Sequence, residues 1–133
     1  MNIAIVGSRK WDNKIKIKDF IYGLREKYGD YITIVSGGCK NGADRFAKKY
    51  ALEFDMDYVE FPPSHEQYNM YCVLPQYRYG KPYATWHYFE RNHKIAEYSD
   101  IIVGFIPEGH KSNGTMSTMS HAEKLNKKTL IIN

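Results

Sequence analysis

Short apolar runs alternate with amphipathic segments along the whole chain. Apolar runs rich in β-branched residues, which are typical of buried strands, lie at 2–6, 31–36, 58–61, 100–106 and 128–132. Between them, apolar residues recur at spacings of three and four, which predicts helices over about 14–28, 42–54, 87–98 and 115–126. Because the strands are apolar at nearly every position, we predict an α/β, Rossmann-like, doubly wound and mainly parallel five-stranded sheet with helices on both faces.

A tyrosine-rich insert at about 64–86 interrupts this alternation. Six of the 12 tyrosines crowd into residues 64–89 beside two further aromatic residues, Trp86 and Phe89. Three roles remain open for the insert: part of the core, a subunit contact, or a lid over a ligand that contains Tyr77, Tyr79, Tyr83 or Trp86. Aromatic enrichment is also a signature of protein interfaces, so a homo-oligomer is expected.

Length and composition limit the classes of protein. A chain of 133 residues is predicted to form a single domain over 1–133. The net charge is only +4, and the lysines are interleaved with acidic residues, so a nucleic-acid partner is not expected. No apolar run is long enough to span a membrane, and no membrane partner is predicted. Two cysteines, Cys39 and Cys72, are too few for a disulfide scaffold, which favours a cytoplasmic location.

The stretch VSGGCKNGADRF, residues 35–46, places three glycines between a predicted strand and a predicted helix. Such a turn leaves backbone N–H groups at the positive end of a helix, where an anion such as phosphate can bind. A structural interpretation is also open, in which the glycines only permit close packing and Asn41 and Asp44 cap the helix. The order of the strands favours the anion site, because this turn, Gly7-Ser8-Arg9 and the loop 107–114 all follow carboxyl ends of strands.

Known cofactor motifs are missing from these loops. Gly7 is followed by Ser8-Arg9-Lys10-Trp11, which does not fit the dinucleotide fingerprint, and no P-loop is present. His87, Glu90 and His93 do not have a recognised metal-ligand spacing. We therefore expect neither a resident cofactor nor a metal.

An ordered set of motifs resembles a known family. It consists of Gly7-Ser8-Arg9, Ser36-Gly37-Gly38, Gly42-Ala43-Asp44, Arg91-Asn92 and Gly114-Thr115. Together these motifs resemble the SLOG superfamily of Rossmann-like domains, in particular its YspA-related branch. The resemblance covers almost the whole chain outside the insert.

The resemblance implies a fold that binds nucleotides or nucleotide-derived molecules. The superfamily includes lysine-decarboxylase-like hydrolases that remove the base from a nucleoside monophosphate. It also includes proteins proposed to sense ADP-ribose-type signals in bacterial and phage conflict, and the DNA-processing protein DprA. Three functions are therefore weighed: a sensor or sequestering protein for an ADP-ribose-type or cyclic nucleotide ligand, an N-glycosidic hydrolase of nucleoside monophosphates or NAD-like molecules, and a DprA-like binder of single-stranded nucleic acid.

One position departs from the hydrolase pattern. The hydrolases resemble P-G-G-x-G-T-x-x-E, and Thr118 stands where the glutamate belongs. A neutral hydroxyl cannot act as a general base at neutral pH, which favours a binding protein over a hydrolase. Glu90, Glu108 or Cys39 could still supply another chemistry, so the catalytic residues stay unassigned.

The predicted ligand site combines the motif residues at the carboxyl edge of the sheet. Arg9 and Arg91 are predicted to pair with phosphate or carboxylate through the guanidinium fork. Asp44 either caps the second helix or holds a ribose hydroxyl, and Thr115 is predicted to contact phosphate. The complete set is Gly7, Ser8, Arg9, Gly37, Gly38, Gly42, Asp44, Arg91, Asn92, Gly114 and Thr115.

Overall fold

Strands and helices alternate in a computed structural model that describes residues 1–73 and 79–133. The strands are β1 (Asn2–Gly7), β2 (Thr33–Ser36), β3 (Asp57–Glu60), β4 (Ile101–Phe105) and β5 (Lys128–Ile132). The helices are α1 (Lys14–Tyr28), α2 (Gly42–Glu53), α3 (Trp86–Tyr98) and α4 (Asn113–Lys124). The alternation predicted from the apolar runs is therefore present along the described chain.

The strands form one parallel sheet in the order β3-β2-β1-β4-β5. The order reverses between β1 and β4, where Gly7 pairs with Phe105 at the carboxyl ends of both strands. Ligands bind in the crevice at such a reversal in open α/β sheets. The predicted Rossmann-like, doubly wound fold class is confirmed, and its carboxyl edge brings the loops after β1 and β4 together.

Each face of the sheet is covered by two helices. Alternate residues of β1 point to opposite faces, so that Ile5 packs with Ile17 in one core and Ala4 packs with Ile95 in the other. The first core lies under α1 and α2, and the second lies under α3 and α4. Small residues at this second face let the helices approach closely, since a Cβ at Gly104 would lie 2.6 Å from Met119 Cε.

Two elements start two residues away from the position that the sequence predicts. Strand β2 starts at Thr33 and not at residue 31, because Gly29–Tyr31 forms a 3-10 turn that leaves Tyr31 81% exposed. Helix α4 spans 113–124 and not 115–126. It starts directly after the extended residue Ser112, and the positive φ of 60° at Asn126 prevents its continuation.

The described part of the tyrosine-rich insert contributes to the core. Tyr79 is buried, and Tyr71 packs edge-on against Tyr58 of β3 at a centroid distance of 5.4 Å. An isolated parallel bridge joins Cys72 to Glu60, so the insert lies beside β3. Tyr77, one of the predicted lid residues, lies outside the described residues. None of the helices in the described ranges has the length and apolar composition needed to cross a membrane.

Candidate functional site

A cavity of about 510 Å³ opens at the carboxyl edge of the sheet, where the strand order reverses. Nine of the eleven predicted site residues line it: Gly7, Ser8, Arg9, Gly37, Asp44, Arg91, Asn92, Gly114 and Thr115. The fold thus brings most of the motif residues to one place, although they are separated by up to about a hundred positions in the sequence. Binding of a ligand by these residues stays a prediction.

Gly38 and Gly42 lie behind the cavity wall and do not line it. Both have φ near 70°, and a Cβ at Gly42 would lie 2.2 Å from the carbonyl oxygen of Ser8. A Cβ at Gly38 would be equally close to Glu60 Oε2. These two glycines are therefore required for close packing, which is the structural interpretation of the turn.

Three backbone N–H groups of the glycine-rich turn already have partners within the protein. Gly38 N–H donates to Ser36 Oγ at 3.1 Å, and Ala43 N–H donates to the carbonyl oxygen of Ser8 at 3.2 Å. Cys39 N–H donates to Asp44 Oδ2 at 3.3 Å, while the Asn41 side chain makes no capping bond.

A buried polar network supports the turn from below. The Glu60 carboxylate is 2% exposed and accepts hydrogen bonds from Lys48 Nζ at 3.1 Å and Asn69 Nδ2 at 3.0 Å. It also accepts one from the Tyr58 hydroxyl, which lies 2.6 Å from Ser36 Oγ. Burial, followed by the charge of Glu60, raises the pKa of Tyr58. The network joins α2, β3 and the insert, and it fixes Ser36 where it meets Gly38.

Arg91 joins α3 to the glycine-rich turn. Its Nη1 donates to the carbonyl oxygen of Gly37 at 2.8 Å, and its Nε donates to Asn92 Oδ1 at 3.0 Å. The ring of Tyr88 lies 5.8 Å from the guanidinium carbon of Arg91 and equally far from that of Arg9. One aromatic ring therefore contacts both arginines of the cavity.

Asp44 and Arg91 approach the same side of Gly37. A Cβ at Gly37 would lie 2.5 Å from Arg91 Nη1 and 2.8 Å from Asp44 Oδ2. Burial raises the pKa of Asp44 to about 6, although the charge of Arg91 opposes this shift. Burial also lowers the pKa of Arg91, and Asp44 opposes that shift in turn. The cavity wall thus carries a carboxyl group that titrates close to neutral pH.

The first turn of α4 points its free N–H groups toward the cavity edge. The N–H groups of Asn113, Gly114 and Thr115 have no partner within the helix, and the Ser112 side chain does not cap them. Ser112 Oγ instead lies 2.7 Å from Thr115 Oγ1, and Asn92 Nδ2 donates to the carbonyl oxygen of Gly114 at 3.4 Å. With Lys111 beside it, this helix start is available to an anion.

Aromatic side chains form one rim of the cavity. Tyr83 is 68% exposed and Phe89 is 57% exposed, and both line the opening together with Tyr88. Tyr83 and Tyr88 both contact the ring of His65, at centroid distances of 4.9 Å and 5.2 Å. Of the other predicted lid residues that the structure describes, Tyr79 and Trp86 do not line the cavity.

Residues 1–68 match YAcAr, described as the YspA, cpYpsA-related SLOG family. The chain belongs to the YspA and cpYpsA-related SLOG family. The match runs from β1 through β3 and includes the motifs after β1 and β2, which confirms the resemblance predicted from the sequence. No curated protein matches the SLOG chain.

Solved structures similar to the SLOG chain share its fold. The molybdenum cofactor binding protein of Rippkaea orientalis has a TM-score of 0.71 and 18% identity, over 98% of this chain and 74% of its own. The molybdenum cofactor carrier protein of Chlamydomonas reinhardtii matches with TM-scores of 0.66 and 0.69 in two structures, at 16% identity. These matches cover 98% of this chain and 74–75% of that protein. At such low identity the likeness concerns the fold alone.

Several cavity residues of the SLOG chain were not predicted from its sequence. They are Lys10, Thr85, Ile95, Lys111, Ser112 and Asn113, together with Tyr88 and Phe89, which had been noted only as part of the aromatic cluster. Their proximity to predicted loops was the available signal, since Lys10 follows Gly7-Ser8-Arg9 and residues 111–113 precede Gly114.

The residues considered as alternative catalytic groups do not all line the cavity. Cys39 lines the cavity, whereas Glu90 does not and pairs with Lys94 at 2.8 Å. Glu108 is exposed and also lies outside the lining. Thr118 lies in the cavity wall and donates its hydroxyl to the carbonyl oxygen of Gly114 at 3.2 Å. Within the described ranges, no group of three or more His, Cys, Asp or Glu residues is arranged to hold a metal ion.

Proposed function

We propose that the cavity binds a nucleotide or a nucleotide-derived molecule, such as an ADP-ribose-type or cyclic nucleotide signal, and holds it without cleaving it. The observation that carries this proposal is the convergence of three features in one cavity. These are the uncapped start of α4, the two guanidinium groups of Arg9 and Arg91, and the aromatic rim formed by Tyr83 and Phe89.

The phosphate end of the ligand would lie between α4 and the arginines. A helix N-terminus contributes roughly 0.3–2 kcal/mol to the binding of an anion. Hydrogen bonds to a charged group contribute about 1.5–3 kcal/mol each, and a guanidinium can supply two of them to one phosphate. Arg91 is half-buried and fixed by Gly37 and Asn92, so little side-chain entropy remains to be lost when it binds.

The ring end of the ligand would lie against the aromatic rim. Stacking of a base on an aromatic side chain contributes about 1–3 kcal/mol. The exposure of Tyr83 and Phe89 leaves their faces available for such contact. A cavity of about 510 Å³ is within the usual range for small-molecule sites, which suits a ligand of nucleotide size.

Two observations favour holding over cleavage. Thr118 occupies the position of the hydrolase glutamate, and its hydroxyl is engaged with the carbonyl oxygen of Gly114. The structural neighbours are described as a carrier protein and a binding protein for the molybdenum cofactor. We infer a sensing or sequestering role of the same general kind for this chain, with the molybdenum cofactor itself as one ligand to be tested.

An N-glycosidic hydrolase is the second candidate, and Asp44 is the observation that favours it. This carboxyl group lines the cavity and has a pKa of about 6, which suits a general acid or base near neutral pH. Such a reaction would act on nucleoside monophosphates or NAD-like molecules.

One experiment separates these functions. The protein is incubated with nucleoside monophosphates, NAD, ADP-ribose, cyclic nucleotides and the molybdenum cofactor. Thermal shift reports binding and chromatography reports the integrity of the ligand. The proposal predicts stabilisation by at least one ligand that is recovered intact. Release of free base or nicotinamide, lost in Asp44→Asn, would establish the hydrolase instead.

A second binding experiment, with single-stranded oligonucleotides, tests the remaining alternative of a DprA-like protein. A DprA-like protein would bind single-stranded oligonucleotides with an affinity that falls steeply as salt increases. We expect weak binding, because lysines and arginines are interleaved with acidic residues along the chain and the net charge is only +4. Tight oligonucleotide binding at physiological salt would contradict the small-molecule proposal.

A further inference from the structure

Two histidines face each other across the packed helices α3 and α4, outside the cavity lining. His93 on α3 and His121 on α4 bring their Nδ1 atoms to 3.4 Å. Their ring centroids are 5.0 Å apart and the ring planes meet at 80°. Neither residue lines the cavity, so the pair is not explained by the proposed ligand site.

A carboxylate orients the first of these rings. His93 Nε2 lies 2.9 Å from Glu97 Oε1, one helical turn away. An ionised carboxylate only accepts hydrogen bonds, so the neutral imidazole keeps its proton on Nε2 and presents the Nδ1 lone pair to His121. Histidines that bind metals are commonly oriented by a carboxylate in this way, which fixes the tautomer and increases the basicity of the ligating nitrogen.

The distance between the two nitrogens matches that of a metal ligand pair. Zinc binds histidine nitrogen at about 2.0–2.1 Å in tetrahedral geometry, which places two ligating nitrogens about 3.3–3.4 Å apart. The 3.4 Å between the Nδ1 atoms of His93 and His121 agrees with this separation. We propose that His93 and His121 form a binding site for a divalent transition-metal cation. Zinc is the expected ion, and water would complete its coordination.

The charges around the pair are compatible with this role. Burial, followed by the nearby His93 and Lys124, lowers the pKa of His121, which favours the neutral ring. A neutral ring is the form that binds a metal. Lys124 opposes a cation by its charge, while Glu97 favours it. Imidazole nitrogen suits zinc, copper and nickel, and does not suit magnesium or calcium.

A cation at this position would join two helices that both contribute to the cavity. Arg91 and Asn92 lie on α3 next to His93, and Gly114 and Thr115 begin the helix that carries His121. Metal bound to both histidines would therefore restrain α3 against α4. If the metal also changes the affinity of the cavity for its ligand, the ligand must change the affinity for metal by the same factor.

The test is a calorimetric titration of the full chain with zinc chloride at pH 7. We expect one zinc ion per chain, and a loss of affinity of at least about tenfold in His93→Ala and in His121→Ala. The variant Glu97→Gln, which removes only the orienting carboxylate, is expected to lose about 10–100-fold. His110→Ala is the matched control, because His110 is exposed in the loop before α4 and is expected to leave the zinc affinity unchanged.

The substitutions at His93 and Glu97 should not unfold the protein, because both side chains are about half exposed. Their thermal midpoints without metal should match that of the unmodified chain. Absence of zinc binding at millimolar concentration would overturn the proposal. Zinc binding that survives both histidine substitutions would overturn it as well, because the ion would then be held by other residues. Since the titration contains no nucleotide, its result is independent of the function proposed for the cavity.

Discussion

Arg91 Nη1 donates a hydrogen bond of 2.8 Å to the carbonyl oxygen of Gly37, so that a helix from the second half of the chain holds the glycine-rich turn of the first half. The same guanidinium faces the buried carboxyl group of Asp44. The fork of the guanidinium still has donors beyond those engaged by Gly37 and Asn92. Arg91 can therefore fix the wall of the cavity and bind an anion at the same time.

Replacement of Arg91 by lysine should separate these two roles. Lysine keeps the positive charge beside Asp44 but loses the planar fork. We expect the affinity for ADP-ribose, or for the nucleotide that binds best, to fall about tenfold or more, which corresponds to one charged hydrogen bond. Isothermal titration measures the affinity. Arg25→Lys is the control, because Arg25 is exposed on α1 away from the cavity. Equal affinities in both variants would remove Arg91 from the site.

Gly114 offers a way to block the cavity without disturbing the fold. A Cβ at this position meets no atom within 4 Å, and the residue lines the cavity. Valine should therefore be tolerated in α4 while its side chain occupies the anion position, so that Gly114→Val is expected to abolish nucleotide binding at an unchanged thermal midpoint.

The control for this variant is Gly23→Ala on α1, where an added Cβ also meets nothing within 4 Å. Alanine in a helix interior should increase the free energy of unfolding by about 1 kcal/mol and leave binding unchanged. Retained nucleotide affinity in a folded Gly114→Val protein would show that the ligand does not reach α4.

Asp44 should give the folded protein a characteristic pH dependence. Burial raises its pKa from the ordinary 3.8 to about 6, so the folded state binds more protons than the unfolded state between these values. The free energy of unfolding should therefore decrease as the pH rises from about 4 to 6 and level off above. A shift of about two pKa units corresponds to about 3 kcal/mol.

Urea denaturation of the unmodified chain and of Asp44→Asn at several pH values measures this effect. Asparagine cannot ionise, so the difference between the two free energies of unfolding should change by about 2.5 kcal/mol between pH 4 and 7. The other titratable groups cancel in this difference. A difference that stays constant over that range would contradict the raised pKa.

Tyr88 should matter chiefly through its ring, which contacts the guanidinium groups of Arg9 and Arg91. The ring lies 5.8 Å from the guanidinium carbons of both Arg9 and Arg91. We expect Tyr88→Phe to keep the affinity for the nucleotide ligand and Tyr88→Leu to reduce it about fivefold, from the loss of roughly 1 kcal/mol of cation–π attraction. Titrations with a nucleotide and with the matching nucleoside compare the two variants. The reduction should appear with the nucleotide, and an equal reduction with the nucleoside would point to base stacking instead.

Much of the fold could be predicted because its signals are local. A buried parallel strand is apolar at successive positions, and Ile32-Thr33-Ile34-Val35 shows this without reference to any partner. The convergence of Gly7-Ser8-Arg9 with Gly114 followed from strand order, which the alternation of strands and helices restricts strongly. Sequence reasoning therefore brought these loops to the same edge of the sheet, and their role in binding a ligand stays a prediction.

The details inside the cavity depend on contacts between distant residues. The N–H group of Ala43 at the glycine-rich turn is occupied by the carbonyl oxygen of Ser8, 35 positions away, and no local pattern indicates that bond. The tyrosines of the insert have the same composition, yet Tyr79 is buried and Tyr83 lies at the rim, because tertiary packing decides which ring faces inward. Local geometry predicts an anion site at the glycine-rich turn, and the start of α4, which has no side-chain cap, is a second candidate.

The walls of the cavity come from both sides of the insert, and this has a consequence for fragments of the chain. Arg9, Gly37 and Asp44 precede the insert, whereas Arg91 and Gly114 follow it. A break in the backbone between β3 and α3 would place half of the site on each piece. If the cavity binds a nucleotide as proposed, neither piece alone should bind it, and the nucleotide should favour the reassociation of the two pieces. A pair of such fragments, each fused to half of a reporter enzyme, would turn the presence of the nucleotide into a measurable signal.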